Sequence, residues 1–210
     1  MTVIPIMIEL AEKKVIVVGG GRIAKRKLNT LLDSGAVLTV ISPAVAPEIK
    51  QWAEEGKIQW KQKNFDSKEA EEAFMMIIAT DDPVVNAAAK EAAPPHCLIN
   101  ASTEAESGNI HFPAHLKRGK LSIAVSTNGA SPMLAKKIKQ DLQTQFDESY
   151  EHYLEFLFEA RQLLKQTQLS KSRKEEYLRN FLAESFMQEE TQQETLHELQ
   201  LLATEKKDSE

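Results

Sequence analysis

The chain has 210 residues, 42% of them hydrophobic and 27% charged, with a formal net charge of −5. That length accommodates one dinucleotide-binding domain of about 110–150 residues and something smaller. The composition excludes collagen-like, wholly disordered and membrane-spanning classes. Residues 3–8 are apolar but stop at Glu9 without a basic leader, too short for a signal core or a spanning helix. They alternate as a first strand, and the protein is expected to stay in the cytoplasm, where it is made.

Strands and helices then alternate. Residues 14–18 are a β-branched run ended by three glycines, and residues 23–34 read as a helix with Leu28, Leu31 and Leu32 on one face, closed by Gly35. A strand over 37–41 ends at Ser42-Pro43. Helices follow over 46–55, 67–73 and 83–92, with strands over 58–61, 74–79 and 97–101. The run 74–79 is apolar throughout, as a strand buried on both faces should be. This alternation predicts an open parallel α/β sheet that closes near Pro113. Beyond it, 121–126 is a strand, 127–132 a turn and 133–145 a helix. From residue 146 onward only helical spacing remains, with a capping box at Ser172-Arg173-Lys174-Glu175. The tail has Leu196, Leu199 and Leu202 as its apolar stripe, and reads either as a helix in need of a partner or as a fraying end.

Gly19, Gly20, Gly21, Arg22, Ile23 and Ala24 fit G-x-G-x-x-G/A between a strand and a helix, the context that gives the pattern meaning. Gly19 permits the tight turn, Gly21 lets a pyrophosphate approach the backbone, and Ala24 is small enough for helix–sheet packing. The helix N-terminus offers unpaired N–H groups to phosphate. Arg22 fits a phosphate contact and a solvated helix start equally. The acidic residue expected about 20 positions on, to hold the adenine ribose, is absent. Ser42, Pro43 and Ala44 stand there, so the residues alone leave NAD and NADP both open. Thr80, Asp81 and Asp82, with 100–104, fall beyond strand ends where ligands of parallel sheets bind; Asp82 also suits a helix cap before Pro83.

The charge is uneven. Residues 146–210 hold 15 acids and 8 bases, whereas 107–140 hold six bases (Lys117, Arg118, Lys120, Lys136, Lys137, Lys139) and no acid. Such a run is a solvated face or the seat of a polyanionic ligand. Nucleic acid is not expected, because interleaved aromatics are missing and the chain is acidic. Within the run Ser126, Thr127, Asn128 and Gly129 lead into Ser131-Pro132, either a well-capped helix start or a carboxylate-binding turn. Cys97, the single cysteine, reads as inert core, and no Cys/His spacing suggests a metal. His111 and His115 flank Phe112-Pro113; a histidine ordinarily titrates near pH about 6.5, suited to acid–base work, but packing or substrate contact is the plainer reading.

Taken together, the glycine motif with Lys25, Arg26 and Lys27, the Ala79-Thr80-Asp81-Asp82 segment, Phe112-Pro113 and the stretch Ala124 to Pro132 resemble the precorrin-2 dehydrogenase/sirohydrochlorin ferrochelatase family in order and spacing. The resemblance implies a Rossmann-type NAD domain over 1–113, a dimerisation and substrate segment over 114–145, and an all-helical part over 146–210. It implies a homodimer, NAD as oxidant, precorrin-2 as a polycarboxylate substrate held at Ser126, Thr127, Asn128, Gly129 and Lys136, and no resident metal. It leaves no room for the methyltransferase domain fused to some members. Where the family often has an aspartate tied to dehydrogenation and chelation, Thr103 stands, with Glu104 beside it. Threonine is no base, so either Glu104 substitutes or water takes the proton while NAD does the hydride chemistry, with His111 a further candidate and chelation expected to be weak or absent. The alternatives are a dual dehydrogenase–ferrochelatase and an NAD-sensing regulatory domain.

Overall fold

The computed structural model describes residues 3–101 and 108–204. Its contacts divide the chain into two compact units, Val3–Phe112 and a second beginning at Pro113.

The first unit is built on five parallel strands: β1 (Lys14–Val18), β2 (Val37–Ile41), β3 (Gln59–Lys61), β4 (Met75–Ile78) and β5 (Leu98–Ala101), in the order β3-β2-β1-β4-β5. Helices α1 (Arg22–Asn29), α2 (Pro47–Glu54) and α3 (Pro83–Glu91) fill the crossovers. Side chains alternate across a strand, so the continuous apolar runs feed two cores. Val15, Val17, Leu38, Val40, Met75 and Ile77 pack with Ala24 and Leu28 of α1. Ile16, Val18, Ile41, Met76 and Ile78 pack with Ala89 of α3. Val15, Val17 and Ile77 are fully buried, each worth about 1.5–3 kcal/mol against exposure.

The outer edge of β5 is closed by a side chain. Asn109 Oδ1 accepts from the Ile99 N–H at 2.6 Å and its Nδ2 donates to the Cys97 carbonyl at 2.9 Å. The Asn109 and Ile110 N–H groups both donate to the Ile99 carbonyl. An edge so covered is not open to further pairing. Contrary to the expected strand, residues 3–8 form none, and Ile4, Ile6 and Met7 are exposed. Alternation supplied a face, but among the described residues no free edge pairs with it. The helix expected over 67–73 is only a 3-10 turn, Ser67–Ala70, capped by Asp66, because the Phe74 N–H already donates to the Lys14 carbonyl and starts the next strand.

The second unit opens with a hairpin that sequence reasoning only half found. β6 (Ala114–Arg118) pairs antiparallel with β7 (Leu121–Val125), followed by α4 (Pro132–Gln145), α5 (Ser149–Gln166), α6 (Lys171–Asn180) and α7 (Glu189–Thr204). Lys120 ties the hairpin to α5, pairing with Glu155 and lying 4.1 Å from the Phe158 ring centroid. Ser170, not Ser172, caps α6, its hydroxyl accepting from the Arg173 N–H at 3.3 Å. The tail is helical over Glu189–Thr204 and packs there on α5, with Leu199 buried beside Phe156, Leu164 and Phe181. Among the described residues no helix is long and apolar enough to cross a membrane.

Candidate functional site

Strand order reverses between β1 and β4, so the loops leaving their C-terminal ends diverge and open a crevice, the usual ligand position in open parallel sheets. A cleft of about 540 Å³ lies there, within the roughly 300–1,000 Å³ of small-molecule sites. A shallower hollow of about 680 Å³ lies at the N-terminal ends of β2 and β3, lined by Val37, Lys57 and Trp60 among others. It is at the wrong end of the strands and holds none of the motif residues.

Each glycine of the loop after β1 has its own geometric reason. Gly19 has φ +110°, and a Cβ there would stand 2.3 Å from the Ala79 carbonyl oxygen at the end of β4. A Cβ on Gly20 would stand 2.3 Å from the Ala44 carbonyl oxygen, beyond β2. These two glycines let three strand ends meet. At Gly21 a Cβ would meet nothing within 4 Å, so the missing side chain leaves open space at the start of α1. Gly21 accepts the first helical bond from the Lys25 N–H, and no side chain caps the helix. Gly21, Arg22 and Ile23 line the cleft, so the first turn of α1 presents amide groups without a side-chain cap, an arrangement that suits an anion. Arg22 is exposed and Ile23 half-buried at the rim, while Ala24 is fully buried against the sheet.

Ser42, Pro43 and Ala44 line the cleft at the end of β2. Ser42 is buried and its hydroxyl donates to the Ala44 carbonyl at 2.7 Å, which leaves the oxygen only lone pairs to offer. Thr80 lines the cleft at the end of β4. Its hydroxyl accepts from the Asp82 N–H at 2.9 Å, and Asp82 caps α3 through the Val84 and Val85 N–H groups. The wall is completed by Asn64, Phe65 and Val85, which sequence reasoning missed. The available signal was that residues beyond β3, like those beyond β1 and β2, leave a parallel strand on the ligand side.

Of the acid–base candidates, Thr103 and Glu104 lie outside the described residues. His111 is exposed in the segment before Phe112. Beside it the Lys27 ammonium lies 4.2 Å from the Phe112 ring centroid, and burial, reinforced by Arg26, lowers its pKa to about 8. Burial raises the Cys97 thiol to about 11, as fits an inert core cysteine.

In the second unit the turn after β7 is tightly self-bonded. Ser126 Oγ accepts from the Asn128 N–H at 3.1 Å, and Thr127 Oγ1 accepts from the Ser131 N–H at 3.1 Å. Asn128 and Gly129 both have positive φ, +49° and +85°. Ser131 caps α4 through the Leu134 N–H, with Pro132 in the first turn. Lys136 is exposed on the next turn, and among the described residues neither it nor Lys117, Lys137 or Lys139 has an acidic partner. His115 Nε2 lies 2.7 Å from Ser122 Oγ, its pKa lowered by burial and then by Lys139 and Lys117. Among the described residues no cluster of His, Cys, Asp or Glu could hold a metal ion.

Comparison with known proteins follows the same division. The chain matches an NAD(P)-binding family over residues 6–114, the sirohaem biosynthesis protein central family over 118–145 and the SirC C-terminal domain over 150–196. It is 40% identical over 181 residues to a precorrin-2 dehydrogenase of Priestia megaterium, covering 86% of this chain and 90% of that one. It is 39% identical over 158 residues to one of Bacillus subtilis (strain 168), covering 75% and 98%. A siroheme synthase of Xylella fastidiosa (strain M12) is 38% identical over 148 residues, 70% of this chain but only 31% of that protein. The solved structure of SirC, precorrin-2 dehydrogenase, superposes with a TM-score of 0.83 at 38% identity, covering 95% of this chain and all of that one.

Proposed function

The chain belongs to the precorrin-2 dehydrogenase family, and from that premise we propose that it oxidises precorrin-2 to sirohydrochlorin with NAD, a step of sirohaem synthesis. The observation that carries the reading is the glycine loop. Gly19 and Gly20 are pressed against neighbouring carbonyls while Gly21 faces empty space at an uncapped helix start. That combination fits a pyrophosphate and serves no packing purpose at Gly21. NAD, when bound, accepts the hydride; the reaction leaves NADH and one proton.

The chain's own residues bind, orient and take that proton. Gly19, Gly20, Gly21, Arg22, Ile23 and Ala24 form the phosphate cradle. Ser42, Pro43 and Ala44 border the adenine ribose, and Thr80 borders the nicotinamide end. Because the Ser42 hydroxyl is spent on Ala44, its oxygen suits a ribose 2′-hydroxyl that donates. An ionised 2′-phosphate has no proton to give, which favours NAD over NADP. Ser126, Thr127, Asn128, Gly129 and Lys136 hold substrate carboxylates, the lysines nearby supplying positive charge. Glu104, beside Thr103, takes the proton, with His111 the next group able to do so. Three parts divide this work: 1–113, 114–145 and 146–210. The protein acts as a cytoplasmic homodimer.

Anaerobic incubation with precorrin-2 and NAD tests the reading. Equal yields of NADH and sirohydrochlorin are expected; tight NAD binding with no turnover would instead favour a nucleotide-sensing domain. Glu104→Gln is expected to lower turnover and flatten its pH profile, and an unchanged rate at every pH removes Glu104 from the mechanism. With Thr103 in place of the aspartate, insertion of Fe²⁺ into sirohydrochlorin is expected to be weak or absent.

A further inference from the structure

We propose that Trp60 and Gln62 are positioning residues for the adenosine end of the dinucleotide cleft, acting through the backbone of the turn 42–44. The inference rests on the NAD reading above and concerns side chains outside the glycine motif.

Three successive carbonyls of this turn are each held by a side-chain donor. The Trp60 indole N–H donates to the Ser42 carbonyl at 2.9 Å. The Gln62 amide donates to the Pro43 carbonyl at 3.3 Å, and the Ser42 hydroxyl donates to the Ala44 carbonyl at 2.7 Å. The Ser42 N–H donates to the Lys61 carbonyl, so pairing between β2 and β3 continues one residue past the strand. Trp60 and Gln62 sit on either side of Lys61, and Glu69 fastens this strand end by pairing with both Lys61 and Lys63.

The turn in its turn braces the phosphate loop. The Ala46 N–H donates to the Gly20 carbonyl at 2.8 Å, and the Ala44 carbonyl fills the place of a Gly20 side chain. Holding the turn therefore holds both walls of the adenosine end. The usual carboxylate anchor for the ribose is missing from Ser42, Pro43 and Ala44, so a preformed shape must supply what a charged bond supplies elsewhere. A turn freed of its braces has to be ordered when the nucleotide binds, and that ordering is subtracted from affinity. Neither Trp60 nor Gln62 lines the cleft, which makes their effect one of placement.

The test compares Trp60→Phe, which keeps the ring and loses the N–H, with Gln62→Met, which keeps the length and loses the donor. Binding of NAD and of ADP-ribose (adenosine and pyrophosphate without nicotinamide) is measured by calorimetry, alongside steady-state kinetics. Each variant is expected to bind both ligands about three- to tenfold more weakly, the value of one neutral hydrogen bond. KM for NAD rises accordingly, while kcat at saturating NAD and KM for precorrin-2 stay put. A purely structural role would instead lower kcat or the yield of folded protein without moving KM for NAD, and that result overturns the proposal. So does unaltered binding of both ligands in the variants. Gln62 is exposed, so its variant decides the matter if Trp60→Phe does not fold. Failure of the wild-type chain to bind either ligand overturns the dinucleotide reading itself.

Discussion

Gly20 and Gly21 are neighbours with opposite surroundings, and alanine at each separates loop packing from the proposed phosphate contact. At Gly20 the new Cβ would stand 2.3 Å from the Ala44 carbonyl oxygen and 2.9 Å from the Val45 Cα. Both are backbone, so the loop or the turn must move, an overpacking cost of about 1–3 kcal/mol. For a unit of this size each kcal/mol lowers the melting point by roughly 4–8 °C. At Gly21 the Cβ meets nothing, and the backbone (φ −83°, ψ −166°) is extended and open to any residue. Alanine is the poorer N-cap by roughly 0.5–1 kcal/mol, while the stiffer unfolded chain returns about 0.4–1 kcal/mol. Stability should therefore be nearly unchanged. Binding should not be, because a methyl group in the phosphate path removes at least one charge-assisted hydrogen bond of about 1.5–3 kcal/mol. That is a rise of roughly 10- to 150-fold in the Kd for NAD. Thermal melts without cofactor and calorimetric titration with NAD measure the two effects separately. A Gly20→Ala protein that melts like the wild type, or a Gly21→Ala protein that binds NAD as tightly, refutes the division of labour.

Asn109→Ala removes both side-chain bonds at the β5 edge, leaving the backbone bonds to the Ile99 carbonyl, and should cost about 1–3 kcal/mol in urea unfolding. It should also raise aggregation, which light scattering would detect. His115 is held below the ordinary histidine range by burial, Lys139 and Lys117, so below pH about 6.5 the unfolded chain binds more protons than the folded one. The stability of the second unit should fall as pH drops from that value through the lower folded pKa. His115→Gln should flatten the fall, and an identical slope in both proteins would dismiss the assignment. Cys97, buried with its thiol raised to about 11, should react with a thiol reagent only at the rate of unfolding; rapid native labelling would contradict its place in the core. NADP should bind more weakly than NAD, and Ser42→Ala should narrow the ratio; equal affinities in the wild type would remove Ser42 as a selector.

What was legible in the sequence was local. The run from Lys14 to Ala24 spells strand, turn and helix because each step is enforced within a few residues: β-branched packing, positive φ at Gly19, a small residue at Ala24. Apolar runs such as Met75–Ile78 announce a strand buried on both faces wherever the chain takes it. What was illegible depends on partners. β6 has one fully buried residue, Leu116, between His115 and Lys117; its strand state comes from pairing with β7. Residues 3–8 have the better alternation and no strand, since alternation describes a face while a strand also needs an edge.

The site divides in the same way. Gly19, Gly20 and Gly21 could be read for their conformational freedom, but only the fold shows that Gly20 meets the Ala44 carbonyl and Gly21 meets nothing. Ser42 is the sharpest case. In the sequence its hydroxyl both gives and accepts, and so leaves NAD and NADP equally open. The structure spends the proton on Ala44, while Trp60 and Gln62 engage the two preceding carbonyls. Those donors come from β3 and the residue beyond it, at positions that no motif marks. In the proposed reading, discrimination at the ribose thus rests on where one hydroxyl proton points, a property of neighbours brought together by strand order and absent from the residue itself.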